Sequence, residues 1–331
     1  RDEYVAEAVK LASGDADVRA DLRIVLTAMH GVGAAMTARV LAEAGFAKVS
    51  LVAAQAEPDP DFPTVPFPNP EEAGALDMAI EQARAEDADL IIAVDPDADR
   101  CALAVPDPHA EAEWTPLSGD QIGCLLGEFL ASRGLRGSLA NSIVSSRLLA
   151  RIARSHGLEH HTTLTGFKWI ARAPQLAFGY EEAIGFCPNP SAARDKDGIA
   201  SSVVAASLFA ALKTEGRTAW DELDRLAHAH GLHVTGPLTF RVEEIEQIAS
   251  GMARLRAQPP SDLAGSPVVE VSDLAEGYQG LPPTDGILVL TEAGDRVIAR
   301  PSGTEPKLKC YLEVILPAPE GEPVPWEAAR E

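Results

Sequence analysis

The stretch ADLIIAVDPDADR, residues 88–100, decides the fold class of this chain. Its core is LIIAV, residues 90–94, a continuous apolar run that predicts a strand buried on both faces of a sheet. The run ends directly in an acidic cluster. Ligands of open α/β sheets bind just beyond the carboxyl ends of the strands, so this cluster stands where chemistry is expected.

The residues before this stretch predict a βαβ unit. LRIVLTAM at 22–29 and VSLVAA at 49–54 are β-rich runs. Between them, the glycine turn HGVG leads into the helical pattern of residues 34–46, and this order predicts a parallel sheet. Residues 58–71 contain proline every few positions, which excludes a helix or an inner strand there.

The residues after this stretch predict two further regions. Helical patterns interrupted by two glycine-bearing polar segments predict a second α/β region. The last region is predicted to be a compact α+β unit with one helix and with strands at LTFRV, VVEV, GILVL and RVIAR. We therefore expect an α/β protein with mixed α/β domains at 1–113 and 114–231. A smaller α+β domain at 232–316 and a poorly ordered tail at 317–331 would follow.

Composition excludes several classes of protein. Of 331 residues, 46% are hydrophobic and 24% charged, which excludes global disorder. The 28 Lys and Arg against 50 Asp and Glu give a net charge of −22, a field that would repel nucleic acid but still permits a small anion in a locally basic pocket. The sequence contains no apolar run of the ~20 residues that span a membrane, no signal-peptide pattern and no CxxC pair. We expect a cytoplasmic protein without membrane or nucleic-acid partners.

The acidic cluster predicts a metal site. Asp95, Asp97 and Asp99 occupy alternate positions in a turn, where their carboxylates can converge on one Mg²⁺ ion, a cation that prefers oxygen ligands. Arg100 follows directly and could pair with a phosphate that touches the same metal. A solvated acidic turn is the alternative, but the buried strand before the cluster and the arginine behind it favour a metal.

Three other segments carry residues suited to phosphate and sugar. RPSGTEPK, residues 300–307, combines an arginine, two hydroxyls and a glycine turn whose N–H groups can cradle a phosphate; the alternative is an ordinary β-turn with scattered basic residues. TGFK, residues 165–168, places Lys168 in a glycine loop, and YEEAIG places Glu181 and Glu182 side by side, as bidentate contacts to sugar hydroxyls require. Each of the latter two is also typical of a protein surface.

In this order, the four segments resemble those of the α-D-phosphohexomutase superfamily, which includes phosphoglucomutases and phosphomannomutases. DPDADR is similar to the metal-binding loop, TGFKW and YEEAIG to the third-domain loops, and RPSGTEPK to the fourth-domain phosphate-binding loop. TAMHGVG, NPEEAGALDMAI and DKDG (195–198) resemble the branch with phosphopentomutase-like members. The likeness spans nearly all of residues 1–316 and is more specific for the superfamily than for the sugar.

The resemblance implies an isomerase that moves a phosphoryl group between C1 and C6 (or C5) of a sugar phosphate, glucose or mannose phosphate above all. A phosphoserine would donate the group, and a sugar bisphosphate would be the intermediate. Asp95, Asp97 and Asp99 would bind Mg²⁺, and Arg100 and Lys168 would be catalytic. The substrate-binding residues would be Glu181, Glu182, Arg300, Ser302, Gly303, Thr304 and Lys307.

The sequence departs from the superfamily pattern at two places. Ala183 stands where many relatives have serine, which bears on the choice of sugar. No serine is followed by His-Asn, the pattern of the phosphoserine loop in the first of the family's four domains. We therefore expect domains two to four of a mutase, inactive without the N-terminal domain of the same protein.

Two alternatives stay open. In a haloacid-dehalogenase-like phosphatase, Asp95 would be the nucleophile and Asp97 the general acid. That motif normally ends the first core strand, whereas at least two predicted strands precede it here, and the alternative leaves the Arg300 loop unexplained. The other alternative is a non-catalytic protein that binds sugar phosphates.

Overall fold

The computed structural model describes residues 1–107, 110, 113–302 and 306–330. The chain divides into two compact units. Unit 1 consists of Arg1–Asn141, Leu149–Thr162 and Gly166–Leu223, and unit 2 of Ser142–Leu148, Thr163–Thr165 and the chain from Asp224 onward. Among the described residues, no helix is both long and apolar enough to cross a membrane.

The first sheet of unit 1 is built around the apolar run LIIAV. Its strands lie in the order β2-β1-β3-β4-β5, where β1 is Arg23–Thr27, β2 Lys48–Leu51, β3 Leu90–Val94, β4 Cys101–Pro106 and β5 Trp114–Pro116. Strand β1 pairs in parallel with β2 and β3, as the βαβ pattern predicts, and all five residues of β3 are buried. β4 and β5 add antiparallel pairs and make the sheet mixed. The helices here are α1 Asp2–Val9, α2 Ala16–Asp21, α3 Ala34–Glu43 and α4 Asp77–Glu86.

A second sheet, in unit 1 except for Ser142 and Thr163 at its edge, follows in the order β7-β6-β8-β9. Its strands are β6 Ser138–Ser142, β7 Glu159–Thr163, β8 Leu176–Glu181 and β9 Gly185–Cys187; the helices are α5 Gly119–Ser132, α6 Leu148–Ser155, α7 Phe167–Ile170, α8 Gly198–Thr214 and α9 Ala219–His230. Helix α8 is apolar around almost its whole circumference, which is typical of a helix inside a core. It packs against both sheets, through β3, β4 and β9.

Unit 2 is built on one antiparallel sheet. Its order is β10-β15-β14-β13-β12-β11, where β10 is Leu232–Arg241, β11 Asp262–Leu263, β12 Ser266–Asp273, β13 Ile287–Thr291, β14 Arg296–Pro301 and β15 Lys307–Leu316. Helix α10, Ile245–Ala257, lays Ile248 and Met252 on Ile287 and Val289. The predicted α/β class with a C-terminal α+β part is confirmed.

A buried ionic cluster lies on the other face of this sheet. Glu313, 1% exposed, accepts a hydrogen bond from Arg147 Nε at 2.6 Å and contacts His233 Nδ1 at 3.0 Å and Arg296 Nη2 at 3.1 Å. Burial opposes the charge of Glu313, but the hydrogen bond from His233 and the charges of Arg296 and Arg147 hold the pKa of that carboxyl well below its usual range. Glu313 therefore stays ionised and holds the segment 142–148 on the sheet.

The end of the chain does not form the poorly ordered tail that we expected at 317–331. Ala318 and Ala329 are buried in one cluster with Ala227 and Leu232. The indole Nε1 of Trp326 donates a hydrogen bond to Asp224 Oδ1 at 2.7 Å. The prediction was wrong for the described residues because a few small and aromatic side chains suffice to anchor a proline-rich segment on a sheet. The domain boundaries predicted from the sequence stay a prediction.

Candidate metal and phosphosugar site

The three aspartates of the acidic cluster lie together directly after β3. Each of Asp95, Asp97 and Asp99 offers a carboxylate oxygen, and these oxygens all lie within 4.8 Å of one another. Two oxygens bound to the same Mg²⁺, each at about 2.0–2.1 Å, can be up to about 4.2 Å apart. Small side-chain rotations therefore suffice for all three to reach one ion, and the all-oxygen donor set fits Mg²⁺.

The turn that holds these aspartates is packed against two other segments of unit 1. The N–H of Val32 donates to the carbonyl of Pro96 at 2.9 Å, and the N–H of Gly198 donates to Ala98 at 3.1 Å. A Cβ at Gly31 would overlap the backbone of Pro96, and one at Gly198 would overlap the carbonyl of Arg100. The glycine turn HGVG and the start of α8 thus fix the backbone of the acidic turn.

Negative charge is concentrated at the buried end of this turn. The pKa of Asp95 is raised to about 6, chiefly by burial and also by the charges of Asp97 and Asp99, and the backbone N–H of Arg100, 3.0 Å from Oδ1, opposes the shift. Three carboxylates that repel one another in a partly buried place are stabilised by a cation. The electrostatics, like the donor set, suit a divalent metal.

Two basic side chains flank the carboxylates. Arg100 Nε lies 3.7 Å from Asp95 Oδ2 and 3.8 Å from Asp99 Oδ1, and Lys196 Nζ lies 3.2 Å from Asp99 Oδ2. Lys196 Nζ also lies 5.7 Å from the centre of the Phe167 ring. Lys196 was not among the predicted site residues. The signal that could have found it is its place in DKDG, a lysine between two aspartates directly before α8.

Glu181, the first of the paired glutamates, lies near the same cluster. The pKa of Glu181 is raised to about 7, first by burial and then by the charge of Glu182, while the charges of Lys196 and Arg100 oppose the shift. A Cβ at Gly185 would overlap the Lys196 side chain and lie 3.0 Å from Glu181 Cγ, so these two side chains are neighbours. The N–H of Cys101 donates to the carbonyl of Ile184 at 3.1 Å, which ties this loop to the acidic turn.

Lys168 lies on a different element of unit 1. It is exposed on the short helix α7, which begins after Gly166 with a φ of +99°. Phe167, its neighbour, is buried in the core beneath the second sheet. The catalytic role predicted for Lys168 stays a prediction, and the basic groups that the fold places beside the carboxylates are Arg100 and Lys196.

Strands β14 and β15 form a β-hairpin in unit 2, and the described residues of the segment RPSGTEPK lie at the ends of these two strands. Arg300 and Pro301 end β14, Lys307 begins β15, and the N–H of Ser302 donates to the Lys307 carbonyl at 2.8 Å. Arg300 Nη1 donates to the hydroxyl of Thr165 at 2.6 Å. Gly303 and Thr304 lie outside the described residues. The hairpin brings Arg300, Ser302 and Lys307 together at one end of the sheet.

Three models of the phosphoglucomutase/phosphomannomutase family match consecutive parts of the chain. The α/β/α domain II matches residues 2–108, the α/β/α domain III residues 118–229, and the C-terminal domain residues 232–322.

Individual proteins give the same likeness. A probable phosphomannomutase of Haemophilus influenzae is 44% identical over 314 residues, which cover 94% of this chain and 63% of the relative. A phosphoglucomutase of Staphylococcus aureus is 35% identical over 323 residues, covering 90% of this chain and 58% of the relative. This chain thus spans about three fifths of the length of these relatives.

Solved structures share the fold. The crystal structure of a putative phosphomannomutase from Thermus thermophilus has a TM-score of 0.71 at 23% identity and covers 95% of this chain and 62% of its own. The phosphoglucomutase parafusin from Paramecium, in an open form, has a TM-score of 0.74 at 19% identity and covers 99% and 60%.

Proposed function

The chain belongs to the phosphoglucomutase/phosphomannomutase family, and from this premise we propose that it contributes the metal, sugar and phosphate sites of a phosphosugar mutase. The enzyme moves a phosphoryl group between C1 and C6 (or C5) of a sugar phosphate, with glucose and mannose phosphates as the foremost substrates. The observation that carries the proposal is the cluster in unit 1, where the three aspartates, the two basic groups and Glu181 meet.

Asp95, Asp97 and Asp99 hold Mg²⁺ in this proposal, as their donor set and mutual distances support. When bound, the ion neutralises negative charge on the oxygens of the phosphoryl group in transfer. Arg100 stands beside the same carboxylates and pairs with a further phosphoryl oxygen. Positioning and charge neutralisation are what phosphoryl transfer chiefly requires of a protein.

Lys196 holds a proton at Nζ close to the reacting oxygen. Its place 3.2 Å from Asp99 Oδ2 and beside Glu181 supports this role, since it puts the ammonium next to the carboxylates that would hold the metal and the sugar. Lys168, on its exposed helix, makes an outer contact to the sugar phosphate. Glu181 and Glu182 accept hydrogen bonds from sugar hydroxyls.

In unit 2, the hairpin after β14 holds the phosphate that does not react. Arg300, Ser302 and Lys307, with Gly303 and Thr304, offer a guanidinium, hydroxyls, an ammonium and backbone N–H groups to a dianion. A clamp that binds either end of a sugar bisphosphate serves both halves of the reaction.

A phosphoserine supplies the phosphoryl group in this proposal, as the family resemblance implies. The P–O bond to the serine breaks as the oxygen of a sugar hydroxyl bonds to phosphorus; that hydroxyl gives up its proton, and the serine oxygen takes up a proton and leaves as the free hydroxyl. The bisphosphate then turns over and returns its other phosphoryl group to the serine. A phosphatase with Asp95 as nucleophile gains no support from the family match. In such phosphatases the motif normally ends the first core strand, whereas here it follows β3, the third strand along the chain. A cytoplasmic location remains a prediction.

Phosphorus NMR tests the proposal on the gene product that contains this sequence. With Mg²⁺ and a trace of glucose 1,6-bisphosphate, α-glucose 1-phosphate should convert to the 6-phosphate. Asp97→Ala should abolish the conversion, whereas Asp285→Ala, an exposed carboxylate in unit 2, should leave it intact. Release of inorganic phosphate instead would establish a phosphatase, and binding of the bisphosphate without conversion would establish a non-catalytic binding protein.

A further inference from the structure

A row of polar side chains crosses the second sheet beside the loop of Glu181 and Glu182, which follows β8 directly. His160 lies on β7, Asn141 on β6 and Tyr180 on β8, which are neighbouring strands, and Asp120 lies in the first turn of α5. Tyr180 is fully buried, and Asn141 and Asp120 are 2% and 7% exposed. All four residues belong to unit 1.

Hydrogen bonds join these side chains into one chain of fixed direction. His160 Nε2 lies 3.0 Å from Asn141 Oδ1; an amide oxygen only accepts, so the histidine donates from Nε2. The Asn141 amide hydrogen-bonds to the Tyr180 hydroxyl, whose own proton goes to Asp120 Oδ1 at 2.8 Å. Burial, together with the charge of His161, lowers the pKa of His160 to about 4, so this histidine is neutral near pH 7, with its one ring proton on Nε2.

The packing around Tyr180 connects this hydrogen-bonded chain to the glutamate loop. A Cβ at Gly123 of α5 would overlap the Tyr180 ring, and one at Gly119 would overlap the carbonyl oxygen of Glu182. Glycine at both positions lets α5 lie directly against the tyrosine and against the loop that follows it. Because Glu181 is the next residue after Tyr180, a fixed tyrosine fixes the backbone from which Glu181 projects.

The hydroxyl of Tyr180 is not needed to fill space. Phe178 and Phe186 flank its ring at centroid distances of 6.4 and 6.2 Å and pack the same apolar layer without a polar atom. A buried carboxylate such as Asp120 costs folding free energy even when hydrogen-bonded. The polar groups are therefore explained better by the orientation that they impose on Tyr180 than by a contribution to the stability of the fold.

We propose that Asp120, Tyr180, Asn141 and His160 form a positioning chain that sets the pose of Glu181 and Glu182 for sugar recognition. Tyr180 directly precedes Glu181, and Gly119, next to Asp120, packs on the carbonyl of Glu182, so the chain acts on the sugar through the glutamate loop. The inference rests on the proposed function, because it assumes that the two glutamates bind a sugar.

Calorimetric titration of glucose 1,6-bisphosphate tests the chain of contacts. Tyr180→Phe keeps the ring and removes the hydroxyl, and loss of one well-placed hydrogen bond near a binding group predicts about tenfold weaker binding. Mg²⁺ and inorganic phosphate, titrated separately, should bind Tyr180→Phe as they bind the unaltered chain, since neither ligand uses the two glutamates. A purely structural defect would weaken all three ligands together.

A second pair of variants separates position from charge. The amide of Asp120→Asn can still accept the hydrogen bond from the Tyr180 hydroxyl, so this variant should retain most of the bisphosphate affinity. Asp120→Ala should bind the bisphosphate about tenfold more weakly. The matched control is Phe178→Leu, which loosens the same layer without touching the hydrogen bonds and should bind the bisphosphate normally.

The outcomes distinguish the two levels of the proposal. If the unaltered chain binds Mg²⁺ but not the bisphosphate, the proposed function itself fails. If the unaltered chain binds the bisphosphate and both Tyr180→Phe and Asp120→Ala bind it equally well, the positioning chain is overturned while the function stands. Equal weakening by Phe178→Leu would also overturn it, because general loosening would then explain the loss.

Discussion

Removal of the Glu313 carboxylate should destabilise unit 2 far more than removal of an exposed carboxylate. Glu313→Ala leaves the guanidinium of Arg296, 7% exposed, without the carboxylate 3.1 Å away, and it also breaks the contacts to Arg147 and His233. Breaking one partner of a buried ion pair costs about 3–5 kcal/mol. The exposed pair of Arg256 and Asp285, at 2.6 Å, is the matched control, since such surface pairs contribute about 0.2–1 kcal/mol.

Urea denaturation measures this difference. Among the described residues, Trp326 is the sole tryptophan of unit 2, and its indole packs near Ala227 and Leu232, so its fluorescence follows this unit in a background with the other tryptophans replaced by phenylalanine. Glu313→Ala should lower the free energy of unfolding by about 3–5 kcal/mol, and Asp285→Ala by at most about 1 kcal/mol. If the two variants lose the same amount, Glu313 does not hold the segment 142–148, and the reasoning is refuted.

Four further results are expected. Asp97→Ala should weaken Mn²⁺ binding, followed by electron paramagnetic resonance, at least tenfold, because about one third of the charged donor set is lost; unchanged affinity would place the metal elsewhere. Lys196→Met should reduce turnover in the phosphorus NMR assay by about 10²-fold or more and leave Mn²⁺ affinity no weaker, since it removes a positive charge beside Asp99; normal turnover would exclude Lys196 from proton transfer. Gly198→Ala should lower the melting temperature by several degrees, because the added Cβ overlaps the Arg100 carbonyl. The control is Gly251→Ala, which has open space at its Cβ and should not lower the melting temperature. The pKa of His160 is lowered to about 4 in the folded chain, so the stability that the neutral ring contributes is complete above pH 6.5 and is lost as the pH falls towards 4; His160→Gln should flatten this part of the pH profile of unfolding, and an unchanged slope would contradict the burial argument.

The parts of the fold that could be predicted from the sequence are those with local patterns. LIIAV forms the buried strand β3, and the acidic residues after it lie at the carboxyl end of this strand. Both could be predicted because a short stretch of local sequence determines the strand and the turn that follows it. Strand β15 was not predicted. A glutamate is usually exposed, and Glu313 is buried because Arg147, His233 and Arg296, which come from other segments, pair with its carboxylate.

The candidate site divides in the same way. Asp95, Asp97 and Asp99 are close in sequence, and their convergence follows from one turn. Lys196 reaches Asp99 across almost a hundred residues, through the contact between α8 and the acidic turn. Such long-range contacts depend on how the two sheets of unit 1 pack on α8, which no local pattern encodes.

The most direct test of the proposed site is a crystal structure of this chain grown with Mg²⁺ and glucose 1,6-bisphosphate. We expect one metal bound by oxygens of Asp95, Asp97 and Asp99 at about 2.0–2.1 Å and sugar hydroxyls hydrogen-bonded to Glu181 and Glu182. A metal outside the acidic turn, or a sugar bound away from the two glutamates, would contradict the assignment of this cluster as the phosphosugar site.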